Sequence, residues 1–147
     1  MMGSDPKWQT NIITDDEGIK EILESCNTVA VIGIKNKESQ PAYFVPKYLK
    51  EKGYKIIPIN PRLEEVLGEK AYKDLTQVKE PVDIVDVFRA SDKIMPHAEE
   101  ALKVKPKVFW MQLGIENRQA AEMLAKAGIK VVMNRCMLTE RSRLIKE

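Results

Sequence analysis

Hydrophobic runs of strand length recur along the chain at residues 28–33 (TVAVIG), 55–59 (KIIPI), 82–88 (VDIVDVF), 107–111 (KVFWM) and 130–133 (KVVM). They are rich in Val and Ile and mostly continuous rather than alternating, the pattern of strands covered on both faces. The stretches between them change period. Residues 43–52 place Val45, Tyr48 and Leu49 on one side and stop at Gly53, a residue suited to the left-handed position after a helix. Ser91 is placed to cap a helix over 92–103 with Ile94, Ala98, Ala101 and Leu102 inward, and residues 116–127 turn Ala120, Met123, Leu124 and Ala127 inward before Gly128. Asp15 or Asp16 starts a helix reaching Ser25, and 138–146 reads as a last helix. Residues 61–76 are irregular with a short turn at 63–66, and residues 1–10 are expected to be a loose leading segment.

Strands alternating with helices imply a doubly wound α/β domain, a five-stranded parallel sheet with helices on both faces. Its 147 residues suit one domain with a sizeable core. Right-handed crossovers lead to the expected strand order 3-2-1-4-5. In such sheets a ligand sits outside the carboxyl ends of the strands, at the switch point beside the first strand, so the residues following each strand carry the functional information.

After the first strand come Gly33, Ile34 and Lys35, then a loop through Ser39 to Pro41 before the next helix. The spaced glycines of a dinucleotide fingerprint are missing, but backbone amides, Lys35 and Ser39 near a helix N-terminus suit a diphosphate. The alternative is a solvated loop. The second strand leads to Asn60, Pro61 and Arg62 where a nicotinamide dinucleotide site commonly has an acid. A basic residue there suits a phosphorylated ribose, either the 2′-phosphate of NADP or the 3′-phosphate of coenzyme A; an exposed proline turn is the other reading.

The third strand ends in Val87, Phe88 and Arg89, with Phe88 offering an apolar wall to a flat base. Asp86 falls inside this strand, and since an unpaired buried carboxylate is costly, backbone amides or Arg89 are expected to partner it. The fourth strand is followed by Gln112, able to pair with a ligand amide, and Gly114, which permits close approach. Trp110 reads as core. Arg135, Cys136 and Glu140 reach the same sheet edge, with Cys136 read as a small apolar thiol and Cys26 as structural. His97, the only histidine, reads as an exposed helical residue.

Composition narrows the classes. The net charge is +2 with the signs interspersed, so no basic tract argues for nucleic acid. Apolar runs of five or six residues are far short of the roughly 20 that cross a bilayer, and the first residues lack the pattern of a secretory signal. Two cysteines suit a reducing cytoplasm, and no Cys/His spacing suggests a metal. With no Ser-His-Asp set either, a place to bind is more evident than a catalytic one, and no catalytic residue is assigned.

Four strings, AVIGIKNKESQPAYFVPKYLKEKGYKIIPINPR, PVDIVDVFRA, VFWMQLGI and VVMNRCMLTE, occur in that order. Together they resemble the small stand-alone coenzyme A-binding proteins, whose Rossmann domain is similar to that of succinyl-CoA synthetase alpha subunits and ADP-forming acetyl-CoA synthetases. The resemblance spans about residues 10–145. It implies coenzyme A as the ligand, with the diphosphate at Gly33–Lys35, the adenosine end at Asn60-Pro61-Arg62, and adenine or ribose at Val87-Phe88-Arg89. The ligases also carry a phosphorylated histidine in a second domain, whereas His97 lies in no matching motif. Where the small proteins often have Ser, this chain has Lys35. Binding of coenzyme A or an acyl-CoA is thus the leading expectation, with a protein partner or homo-oligomer also open. An NADP-binding protein, an acyl-CoA enzyme and a ligase-partner subunit are the alternatives.

Overall fold

The computed structural model describes residues 7–146. The chain runs through α1 (Asp16–Ser25), β1 (Thr28–Ile32), α2 (Pro41–Glu51) and β2 (Lys55–Ile59), then a small hairpin of β3 (Glu65–Val66) and β4 (Glu69–Lys70). It continues through β5 (Ile84–Val87), α3 (Ile94–Val104), β6 (Val108–Met111), α4 (Arg118–Lys126), β7 (Lys130–Val132) and α5 (Met137–Leu144). Local chemistry sets the helix starts. The Asp15 carboxylate accepts from the Gly18 amide at 3.0 Å and Asn117 Oδ1 from the Ala120 amide at 2.9 Å. Ser91 does not cap α3 as expected, because its Oγ accepts from the Glu116 amide instead. The chain makes a 3₁₀ turn at Ser91–Lys93, and α3 begins at Ile94.

The five long strands form one parallel sheet in the order β2-β1-β5-β6-β7. In terms of the five hydrophobic runs this is 2-1-3-4-5, which corrects the expected 3-2-1-4-5. Two contacts account for it. Asp83, just before β5, accepts from the amides of Asn27 and Thr28 at 2.8 and 3.1 Å, which holds the third run beside the start of β1. The outer side of β2 is already taken at its carboxyl end, since Tyr72 bridges Ile59 and exchanges 2.9 Å backbone bonds with Pro58 and Asn60. The switch point therefore lies between β1 and β5.

Strand alternation divides the core into two layers. Ala30, Ile32, Val85, Val87, Phe109 and Met111 pack under α3, α4 and the 3₁₀ turn at Leu75–Gln77, through Ile94, Ala98, Ala120, Leu124 and Leu75. Val29, Val31, Ile84 and Trp110 pack under α1, α2 and α5, through Ile19, Leu23, Val45, Leu49 and Met137. Of residues 1–10, expected to be loose, 1–6 lie outside the described residues. Trp8–Asn11 instead forms a 3₁₀ turn, from which Asn11 Nδ2 donates to the Ala125 carbonyl of α4 at 2.9 Å. No described helix is long and apolar enough to cross a membrane.

Candidate functional site

The carboxyl ends of β1, β2 and β5 open into a cavity of about 550 Å³. Gly33 forms its floor with φ +83°, and a Cβ there would lie 2.5 Å from the Phe88 carbonyl oxygen. Only glycine fits this close approach of two strand ends. The Gly33 amide donates to the Ile59 carbonyl at 3.0 Å, so β2 also holds the turn.

Lys35 is positioned by helix chemistry. Pro46 sits inside α2 and has no amide hydrogen, so it cannot donate to the Ala42 carbonyl one turn earlier. That carbonyl accepts from the Lys35 amide at 3.1 Å, tying the loop to the first turn of α2. Asn60 supplies a second tie: its Nδ2 donates to the Ile34 carbonyl at 2.7 Å, while its Oδ1 accepts from the Arg62 amide at 2.8 Å. One side chain thus shapes both the loop after β1 and the turn after β2.

Gly33, Lys35, Asn60, Pro61, Arg62, Phe88 and Arg89 all line this cavity. The structure adds Lys73, Asp74, Ala90, Lys93, His97 and Glu100, which the sequence did not assign to the site. Lys73 and Asp74 arrive because Tyr72 pairs with β2. His97 is half-buried in α3 and not an exposed helical residue, because three residues after Ile94 and four before Ala101 it borders the buried stripe, and it lines the cavity. Burial first, and then the Arg89 charge, hold its imidazole below the usual pKa. Its Nδ1 is buried with no hydrogen-bond partner among the described residues.

A second cavity, about 610 Å³, adjoins the first and shares Lys35, Phe88, Arg89 and Ala90 with it. Its walls are mainly apolar and include Pro41, Phe44, Leu113, Ile115 and Leu138, with Gln112 and Cys136 also on the lining. Gln112 is buried and its Oε1 accepts from the Met137 amide at 3.1 Å, so this oxygen is committed to the start of α5.

Other sequence-assigned residues line neither cavity. Ile34 and Val87 are core side chains, and Ser39 and Gly114 stand exposed outside both linings. Arg135 and Glu140 pair at 3.2 Å, while Arg143 reaches both Glu140 and Asp16, joining α5 to α1. Asp86 departs from expectation. It is fully buried between Val31 and Trp110 in the sheet register, and neither carboxyl oxygen has a hydrogen-bond partner among the described residues. Arg89 lies beyond the strand end, lining the cavities, and burial raises the Asp86 pKa well above the usual carboxylate value.

Residues 27–142 match the family model described as a CoA binding domain. The chain is 40% identical over 119 residues to the uncharacterized protein YneT of Bacillus subtilis, covering 81% of this chain and 88% of that one. It is also 46% identical over 57 residues to the alpha subunit of an ADP-forming acetate–CoA ligase II from Pyrococcus furiosus, a span of 38% of this chain and 12% of the ligase subunit. Among solved structures, a protein from Thermus thermophilus described as cell-free ID.343 superposes with a TM-score of 0.86 at 41% identity, covering 90% of this chain and 100% of that one.

Proposed function

The chain belongs to the CoA-binding domain family, and on that premise we propose that it binds coenzyme A or an acyl-CoA across the carboxyl edge of its sheet. The carrying observation is the net positive charge of the first cavity: Lys35, Arg62, Lys73, Arg89 and Lys93 outnumber Asp74 and Glu100 around the close approach of two strand ends at Gly33. Coenzyme A is a polyanion with a diphosphate and a ribose 3′-phosphate, and such an excess of cations suits it. The diphosphate lies against Gly33 and Lys35 near the start of α2, whose dipole favours an anion. Arg62 and Lys73 meet the 3′-phosphate, and Phe88 meets the adenosine.

In this reading the protein is a binding module for the cofactor and its thioesters. Its two free thiols suit a reducing cytoplasm. The similarity to a ligase alpha subunit supports a protein partner that delivers or takes the thioester, which pull-down with the intact chain tests. The binding reading itself is tested by calorimetry with coenzyme A, NADP and NAD in one buffer. Saturable binding of coenzyme A in preference to both dinucleotides is expected. Tight NADP binding with no response to coenzyme A overturns it.

A further inference from the structure

The two cavities differ in chemistry and adjoin each other. One is lined by more cations than acids, while the other is walled by Pro41, Phe44, Leu113, Ile115 and Leu138, and Lys35, Phe88, Arg89 and Ala90 line both. Phe44 and Leu113 are the exposed large hydrophobic side chains among the described residues, 42% and 69% exposed, and both belong to this second wall. An exposed apolar cluster beside a polar ligand site marks a surface that an apolar group covers.

From this adjacency we infer that the second cavity holds the acyl chain of an acyl-CoA, so that the protein prefers thioesters with an apolar chain of several carbons over free coenzyme A. The inference rests on the coenzyme A reading above and names the ligand class of that same site. A ligand whose diphosphate is fixed at Gly33 and Lys35 has two ways out of the cradle. Its adenosine end is drawn to Arg62 and Lys73. The opposite arm then passes Arg89 and Ala90 and enters the apolar cavity, where Gln40 and Thr139 supply polar atoms for its amides. The thioester and its chain follow onto Phe44 and Leu113.

A fully buried methylene is worth up to about fourfold in affinity and a half-buried one about twofold, and the exposure of Leu113 places this cleft nearer the second figure. Calorimetry with coenzyme A and with acetyl-, butyryl-, hexanoyl- and octanoyl-CoA, each below its micellar concentration, reads the slope. Affinity is expected to rise about twofold for each added methylene. The Phe44→Ser/Leu113→Ser double variant, altered at two exposed positions, is expected to flatten the series. The readout is the ratio of acyl-CoA to coenzyme A affinity within each protein, so a loss common to both cancels, and an unchanged melting temperature confirms that the variant is folded. A flat or falling series in the unaltered protein, with coenzyme A still bound, overturns the acyl pocket and leaves the coenzyme A reading intact. A slope that survives in the double variant also overturns it, since the chain then lies elsewhere. Failure to bind coenzyme A or any thioester removes the reading on which the inference rests.

Discussion

The Lys35 amide donates to the Ala42 carbonyl at 3.1 Å, and that carbonyl is left open because Pro46, one turn on, has no hydrogen to give it. A residue usually regarded as a flaw in a helix here anchors the loop at the candidate phosphate site. Restoring the intrahelical donor with Pro46→Ala should create a competitor for Ala42. A typical hydrogen bond contributes about 1 kcal/mol, so the Lys35 amide should exchange with solvent about fivefold faster and coenzyme A should bind more weakly. Unchanged exchange at Lys35 in a folded variant would show that the loop is held by other contacts.

Gly33 and Gly114 offer a matched comparison, because both have positive φ but only one is crowded. A Cβ on Gly33 meets the Phe88 carbonyl, whereas one on Gly114 meets nothing within 4 Å. Gly114→Ala should lose about 1 kcal/mol from the backbone conformation alone. Gly33→Ala adds a clash between strand ends and should lose roughly 3 kcal/mol or more. Urea denaturation of the two variants measures both, and equal losses would show that the crowding at Gly33 relaxes freely.

Asp86 gives stability a pH dependence of definite sign. Burial keeps its carboxyl protonated in the folded protein, whereas the unfolded chain releases that proton above about pH 4. Over this range the unfolded state binds fewer protons, so stability falls as pH rises from about 4 toward the raised folded value, by up to about 1.4 kcal/mol per pH unit from this group. Asp86→Val, a β-branched apolar residue between Val31 and Trp110, should therefore gain stability relative to the natural chain as pH rises from 4 to 7. Denaturation at pH 4, 5, 6 and 7 checks this. A difference that does not change with pH would mean the carboxyl is ionised in place.

Arg62 and Lys35 are assigned to different phosphates, and paired ligands separate them. Arg62→Ala should weaken coenzyme A by at least about tenfold, the scale of a charge-assisted contact, while hardly affecting 3′-dephospho-coenzyme A. Lys35→Ala should weaken both ligands. Equal losses for both ligands in Arg62→Ala would point to general attraction, which added salt should then largely erase.

The strands and most helix spans are legible because buried Val and Ile runs and apolar stripes are local patterns. The doubly wound class follows from their alternation. Strand order is not local. It depends on Asp83 reaching the Asn27 and Thr28 amides and on Tyr72 pairing with β2, contacts between residues far apart in the chain. Site legibility divides the same way. Gly33, Lys35, Arg62, Phe88 and Arg89 follow strand ends directly and are found by that rule, whereas Lys73 enters on an irregular connection. His97 enters because it borders the buried stripe of Ile94, Ala98 and Ala101, and which end of α3 faces the sheet edge is a tertiary property. Nor does alternation reveal that Asp86 would be left without a partner, since that is a property of the packed interior.

The segments flanking the outer strands also govern how the molecule meets its neighbours. Tyr72 lies against β2 and Ile12 against β7, each through a single parallel bridge followed by irregular chain. Each outermost strand of the sheet is thereby partly covered by the molecule's own backbone. A foreign strand meets a row of amides and carbonyls that is interrupted, which disfavours self-templated aggregation of a Val- and Ile-rich sheet. Recognition by another chain is thus directed away from strand addition and toward side-chain surfaces.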